Sequence, residues 1–241
     1  MKYPHKSITP TGMINPEKFG NIREFVAILK QMKYLCLTAF MVLTLALQAQ
    51  DEGFKKLTDT KPVEEKLIQA SKSITTITSD FIQEKHLEYL SVVIESKGRF
   101  WFIKPAILRW EYTEPFKYLI VINQGKITIK DEDKKNEFDI NSNKAFQELN
   151  DIIVNSVNGT LIESEKYDFE MLEGKESWLV RMFPKNEQVK KTLKNIDLYF
   201  LKSDLSVHKI KMIENDQDYT IITLTNKKFN EPVSNTVFEV K

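Results

Sequence analysis

Gly98-Arg-Phe-Trp-Phe-Ile-Lys-Pro-Ala-Ile-Leu-Arg-Trp-Glu-Tyr-Thr-Glu-Pro115 reads as two aromatic-rich strands facing each other across a short turn at Lys104-Pro105. Side chains alternate between the two faces of an extended chain. Phe100 and Phe102 therefore share one face of the first strand, and Leu108, Trp110 and Tyr112 share one face of the second. An ordinary hairpin needs fewer large rings to make its core. A sheet face this rich in them can instead wrap an apolar ligand, and the rest of the chain has to support or refuse that reading.

Outward from this hairpin the period of two continues. Phe81, with Ser79 and Gln83, and then Leu87, Tyr89 and Val92 suggest an interrupted strand running from Thr78 toward Gly98. Downstream, Tyr118 to Lys130 holds two β-branched runs joined by the turn signal Asn123-Gln124-Gly125, and Phe138–Ile140 is a possible third strand. Further strands are expected at Tyr167–Leu172, Trp178–Pro184, Leu193–Leu201, Val207–Glu214, Thr220–Phe229 and Val237–Val240. Tight turns at Glu173-Gly174-Lys175, Lys202-Ser203-Asp204 and Asn215-Asp216 make this one large antiparallel sheet.

Two segments have helical spacing instead. Pro62–Thr76 carries Val63, Leu67, Ala70 and Ile74 on one face, with Thr60 placed to cap it and Glu64 and Glu65 near its positive end. Lys144–Val157, capped by Asn143 and stopped by Gly159, carries Phe146, Leu149, Ile153 and Val157. A sheet of about ten strands must curl, and its inner face must be covered. Two amphipathic helices are too few to cover all of it. The fold expected is therefore mainly β: an open, incomplete antiparallel β-barrel or strongly curved sheet, with helices lidding a concave face that retains an apolar cavity.

The first 50 of the 241 residues do not enter this domain. Leu35–Leu47 is an apolar run shorter than the roughly 20 residues a membrane helix needs. Lys33 precedes it and Gln48-Ala49-Gln50 follows, as in a secretory signal peptide over 32–50 that starts at Met32. Residues 1–31 are then an extended or mis-assigned n-region. Residues 51–61 are expected to be frayed and 62–241 to form a single domain. Cys36 lies before the apolar core, with Tyr34 and Leu35 where a lipidation signal needs a small residue, so it is not read as lipidated. Past residue 50 there are 29 Lys/Arg and 32 Asp/Glu, evenly mixed, and no cysteine. That excludes disulfides, thiol nucleophiles and cysteine zinc sites, and gives no basic block for nucleic acid or an anionic membrane.

No catalytic constellation emerges. His86 and His208 each sit alone in a strand pattern and are read as structural histidines, not as metal ligands or general bases. There is no nucleophile elbow and no phosphate loop. Asp216 and Asp218 lack the Gly and Glu that a calcium loop requires and are read as turn residues. Glu163, Glu165, Asp168 and Glu170 alternate along what is read as the solvated face of a strand. No enzyme activity, metal or cofactor is expected.

Several of these motifs together resemble the LolA family of periplasmic lipoprotein carriers. They are Asp80-Phe81-x-Gln83, Gly98-x-Phe100-Trp101-Phe102-x-Lys104-Pro105 and Arg109-Trp110-x-Tyr112-x-x-Pro115, leading into Leu119-Ile-Val and Gly125-Lys126. Ile210-Lys-Met-Ile-Glu-Asn and Asn226…Phe229-Asn230 add to the match, which runs from about Glu64 to Val240. The resemblance implies an exported, monomeric carrier with no cofactor. Such a carrier takes acyl chains of lipoproteins from an inner-membrane lipoprotein-releasing transporter and passes them to an outer-membrane acceptor. The expected cavity lining is Phe100, Phe102, Leu108, Trp110, Tyr112, Leu119 and Val121, under a lid of Leu67, Ala70, Ile74, Phe146, Leu149 and Ile153. Better-known members carry an arginine latch before the turn proline. Lys104 stands there in this chain, with three rotatable donors in place of a planar fork. Two other readings stay open: a carrier of another acylated lipid or glycolipid, and a half-barrel that senses lipid or peptide in envelope stress. Sensors of that kind usually carry a further domain or a membrane helix, which this chain is expected to lack.

Overall fold

The computed structural model describes residues 53–142, 147, 150–155, 160 and 164–240. The expected n-region and signal peptide lie outside these residues, as do Asn143, Phe146, Leu149, Val157, Gly159 and Glu163. Among the described residues, no helix is long and apolar enough to cross a membrane.

Twelve strands form one antiparallel sheet. They are β1 Lys55–Lys56, β2 Thr76–His86, β3 Ile94–Ile103, β4 Ile107–Glu114, β5 Tyr118–Asn123, β6 Lys126–Asp131, β7 Lys134–Asp139, β8 Tyr167–Glu173, β9 Ser177–Pro184, β10 Asn195–Leu201, β11 Val207–Ile213 and β12 Tyr219–Phe229. Their order in space is β1-β8-β9-β10-β11-β12-β2-β3-β4-β5-β6-β7. Both β1 and β7 are edges, so the sheet is open and curved and does not close into a barrel.

This topology dictates where the helices lie. Helix α1 (Lys61–Lys72) leaves β1 beside β8 and must reach β2 beside β12, so it crosses the β8–β11 half of the concave face. Helix α2, described over residues 150–155, lies on the connection from β7 at one edge to β8 near the other. It thus traverses the face and touches both halves: Ile152 packs with Leu67, Trp178 and Leu198, and Ile153 with Phe100 and Trp110. A third, short helix, α3 (Glu187–Lys190), joins β9 to β10 and was not evident in the sequence.

Several boundaries differ from those read in the sequence. Helix α1 ends at Lys72, because the β-branched run Ile74-Thr75-Thr76-Ile77-Thr78 favours extended backbone and enters β2. Thr60 holds the cap position, but its hydroxyl does not cap; the Asp59 carboxylate accepts from Lys61 N–H at 3.2 Å instead. The segment expected to fray contains β1, and Leu57 N–H donates to the Met171 carbonyl at 2.9 Å. Val237–Val240 is not a strand. Residues Asn235–Phe238 form a 3-10 turn that lays Phe238 on the sheet's outer face, against Leu119 and Val121.

Candidate functional site

The concave face is built from alternate residues of neighbouring strands. β2 supplies Phe81, β3 Phe100 and Phe102, β4 Leu108 and Trp110, and β5 Ile120 and Ile122, all buried in one cluster. The register puts them in rows: Phe102 opposite Leu108 and Leu108 opposite Ile122, Phe100 opposite Trp110 and Trp110 opposite Ile120. Ring centroids lie 4.5 Å apart for Phe81–Trp110, 5.2 Å for Phe81–Tyr112 and 5.4 Å for Phe100–Trp110. Such contacts at tilted and edge-on angles match the aromatic quadrupoles.

Tyr112 and Tyr118 mark where this face meets solvent. The Tyr112 hydroxyl donates to Gln83 Oε1 at 3.0 Å, which accounts for glutamine in the Asp80-Phe81-x-Gln83 motif. Burial pushes the phenols of both tyrosines above their ordinary range, and Asp131 adds to the effect at Tyr118.

The expected lining residues do not all meet. Phe100, Phe102, Leu108 and Trp110 lie together on the concave side, with Tyr112 half-buried beside them. Leu119 and Val121 sit on the opposite, outer face with Trp101, Ile103 and Phe238. Tyr112 pairs with Tyr118 across the turn, so the inward residues of β5 are Tyr118, Ile120 and Ile122. Arg109 also faces outward, where its Nη1 donates to the Val237 carbonyl at 2.9 Å.

The cover differs in a similar way. Leu67 packs with Val63 against Trp178, Val180 and Leu198 on the β8–β10 half, not on the aromatic half. Ala70 is only half-buried, and Ser71 takes the third buried place on the helix face. Ile74, beyond the end of α1, is the residue that reaches the aromatic cluster, together with Ile153 of α2. Between cover and sheet lies a cavity of about 80 Å³, bordered by Ile74, Phe100, Trp110, Ile152 and Phe200. Sites that hold small molecules are usually roughly 300–1,000 Å³. Over the described residues the cover thus lies closed on the sheet, with less space beneath it than such sites have.

Hydrogen bonds hold the junction of α1 with β2. Lys104 Nζ donates to the Ser71 carbonyl at 3.1 Å, and Lys104 N–H donates to the Thr75 carbonyl at 2.9 Å. Asn230 clamps the same junction from β12: its Oδ1 accepts from Thr75 N–H at 2.8 Å and its Nδ2 donates to the Ser73 carbonyl at 3.1 Å. Asn230 takes a left-handed φ of 60°, which asparagine tolerates better than most residues. The sequence offered only the Phe229-Asn230 motif as a sign of this role. Lys227 also lines the cavity, and no periodic pattern had singled it out.

His86 stacks on Tyr219 at 4.3 Å. Burial, aided by Lys227 and Lys209, pushes the His208 imidazole below its ordinary range. Asp218 accepts from Glu88 N–H at 2.7 Å, as a turn residue. No group of three or more His, Cys, Asp or Glu that could hold a metal occurs among the described residues.

Comparison with known proteins gives a family match over most of the sheet. The profile of a family described as "Outer membrane lipoprotein carrier protein LolA" matches residues 72–241. Among individual relatives, an outer-membrane lipoprotein carrier protein of Alkalilimnicola ehrlichii is 33% identical over 60 residues, 25% of this chain and 28% of the relative. One of Methylococcus capsulatus is 33% identical over 81 residues, 34% of this chain and 38% of the relative. These alignments thus span well under half of either relative's length. Among solved structures, a LolA superfamily protein of Nitrosomonas europaea is similar with a TM-score of 0.42 and 6% identity, over 76% of this chain and 99% of that one.

Proposed function

Because this chain belongs to the LolA family of outer membrane lipoprotein carrier proteins, we propose that it binds the acyl chains of lipoproteins between the helices and the aromatic face, and carries them through the periplasm from the inner to the outer membrane. The observation that carries this reading is the concave face itself: a continuous bed of Phe81, Phe100, Phe102 and Trp110, which among the described residues of the helical cover is met by Ile74 and by Ile153 of α2. An acyl chain that displaces the cover is shielded from water, at about 25 cal/mol per Å² of apolar surface buried. No bond is made or broken in this role, so the protein is read as a binding protein and not an enzyme. An inner-membrane releasing transporter as donor, an outer-membrane acceptor, a monomeric carrier and export by the N-terminal segment all belong to the same proposal. Incubating the purified protein with membranes that hold a labelled, acylated lipoprotein is expected to bring that lipoprotein into the soluble fraction. If it stays in the membrane, and photo-crosslinkers at Phe100 and Trp110 capture no lipid, the reading is wrong.

The closed state sets the balance between loading and unloading. Each apolar side chain buried by the cover contributes about 1.5–3 kcal/mol. The Lys104–Ser71 hydrogen bond contributes about 1 kcal/mol. Closure therefore rests chiefly on the apolar contacts, and Lys104 trims it. Lys104→Leu is expected to tighten lipoprotein uptake up to about fivefold, the factor that about 1 kcal/mol sets in an equilibrium, and to shift the hand-over equilibrium toward the loaded carrier by the same factor. Uptake and transfer of the loaded fraction are measured separately. Collapse of uptake with unchanged hand-over would mean that Lys104 contacts the incoming chain instead of closing the empty site.

A further inference from the structure

Among the described residues bordering the apolar cavity, Lys227 is the one that carries a charge. It projects from β12 where the pairing with β2 slips between Thr225 and Lys228. Its side chain is 11% exposed, against 60% for the adjacent Lys228. The ammonium donates to the Ser206 hydroxyl, to Asp204 Oδ2 at 3.3 Å and to the Val207 carbonyl at 3.4 Å. Leu205, Val207, Leu224 and Phe229 border the cavity around it. An ammonium drawn into such surroundings is costly unless it is paired.

Its counter-ion is unequally buried. The Asp204 carboxylate is 40% exposed and sits on the turn between β10 and β11, where Leu205 is held at a left-handed φ of 57°. Burial alone would raise the Asp204 pKa, but hydrogen bonds from the Ser206 hydroxyl and N–H, with the Lys227 charge, hold it below its ordinary value. The carboxylate therefore stays ionised near neutral pH and can turn to water itself, but the buried Lys227 ammonium then needs another anion in its place. The cation that remains borders an apolar space that a hydrocarbon chain can occupy once it displaces the cover.

We propose that Lys227 is the docking point for an oxyanion at the head of an acyl chain, with the chain lying in the cavity beneath Ile74 and Ile152 and the oxyanion replacing Asp204 as partner of the ammonium. The ligand class is a single-chain anionic amphiphile, headed by a carboxylate or a phosphate. The inference rests on the proposed use of this cavity for acyl chains but names a further ligand, since the ester- or amide-linked chains of a lipoprotein carry no oxyanion at the head. Lysine suits it as a compact point charge with three rotatable donors, which accepts either oxyanion.

The test is displacement of a fluorescent fatty acid from the purified protein by dodecanoate, dodecyl phosphate and methyl dodecanoate. The wild type is expected to bind one or both anions about tenfold more tightly than the neutral ester. The tighter of the two anions identifies the head group. Lys227→Met should bring that ratio under about twofold without weakening methyl dodecanoate, which also shows that the variant is folded. Asp204→Asn, which removes the competing carboxylate, should strengthen dodecanoate binding. Two results overturn the assignment: an undiminished anion preference in Lys227→Met, or an Asp204→Asn variant that loses dodecanoate as Lys227→Met does, which marks the pair as purely structural. Equal binding of ester and anions by the wild type overturns the role of Lys227 alone. Failure of the wild type to bind any of the three overturns the acyl cavity as well.

Discussion

Gly98→Ala is expected to destabilise the protein by about 3 kcal/mol, although alanine is the better strand residue by about 0.5 kcal/mol or more. The reason is local geometry. Gly98 stands between Phe81 on β2 and Tyr112 on β4, beside the point where the β3–β4 register shifts between Lys97 and Gly98. With no side chain there, the Phe81 and Tyr112 rings meet across it at 5.2 Å. A Cβ on Gly98 would lie 2.0 Å from the Glu111 carbonyl oxygen and 2.5 Å from the Phe81 ring. The carbonyl belongs to the β4 backbone and cannot swing aside, so strand and ring must both move. Urea unfolding monitored by tryptophan fluorescence measures the loss. A change under about 0.5 kcal/mol would mean that this aromatic bed repacks freely and is not held in one arrangement.

Physical causes separate what the sequence disclosed from what it did not. From Leu108 to Tyr112 apolar and polar positions alternate, so parity fixes the inner face of β4; β3 is apolar at every position from Phe100 to Ile103, and its pairing across the turn carries the assignment to Phe100 and Phe102. The run Tyr118-Leu-Ile-Val-Ile is apolar at every position, because β5 is covered on both sides: inside by the aromatic cluster and outside by Phe238. Periodicity cannot choose a face for such a strand. Only the register across the turn does so, and it turned Leu119 and Val121 outward. Similarly, the spacing of Val63 and Leu67 disclosed an apolar stripe but not which half of the sheet it would meet. That followed from the pairing of two-residue β1 with β8, a contact more than a hundred residues distant in sequence with no pattern of its own. The shortage of helices was legible from strand count alone, and it led to the covered concave face. Lys227 and Asn230 could not be found in this way, since each works through contacts set by the sheet's long-range pairing.

Trp110→Ala is expected to lower the melting temperature of the unliganded protein by roughly 10 °C, and saturating dodecanoate should recover part of that loss. Trp110 is 7% exposed and packs on Phe81 and Phe100 while bordering the cavity. Replacing such a ring with a methyl group typically costs about 3–5 kcal/mol, part of it for the void left behind. In a domain of this size each 1 kcal/mol moves the midpoint by roughly 2–4 °C. The void, however, opens where the acyl chain is proposed to lie. An acyl chain that fills it needs less displacement of the cover, so binding to the folded variant should tighten even as the empty variant weakens. Ligand stabilises by RT ln(1 + [L]/Kd), so the thermal shift on adding dodecanoate should be larger for Trp110→Ala than for wild type. Thermal unfolding with and without dodecanoate reads both quantities in one experiment. Equal shifts in the two proteins would place the chain away from the indole. A smaller shift in the variant would make Trp110 a contact the ligand needs, not a side chain it displaces, and the closed structure would then already hold its binding surface.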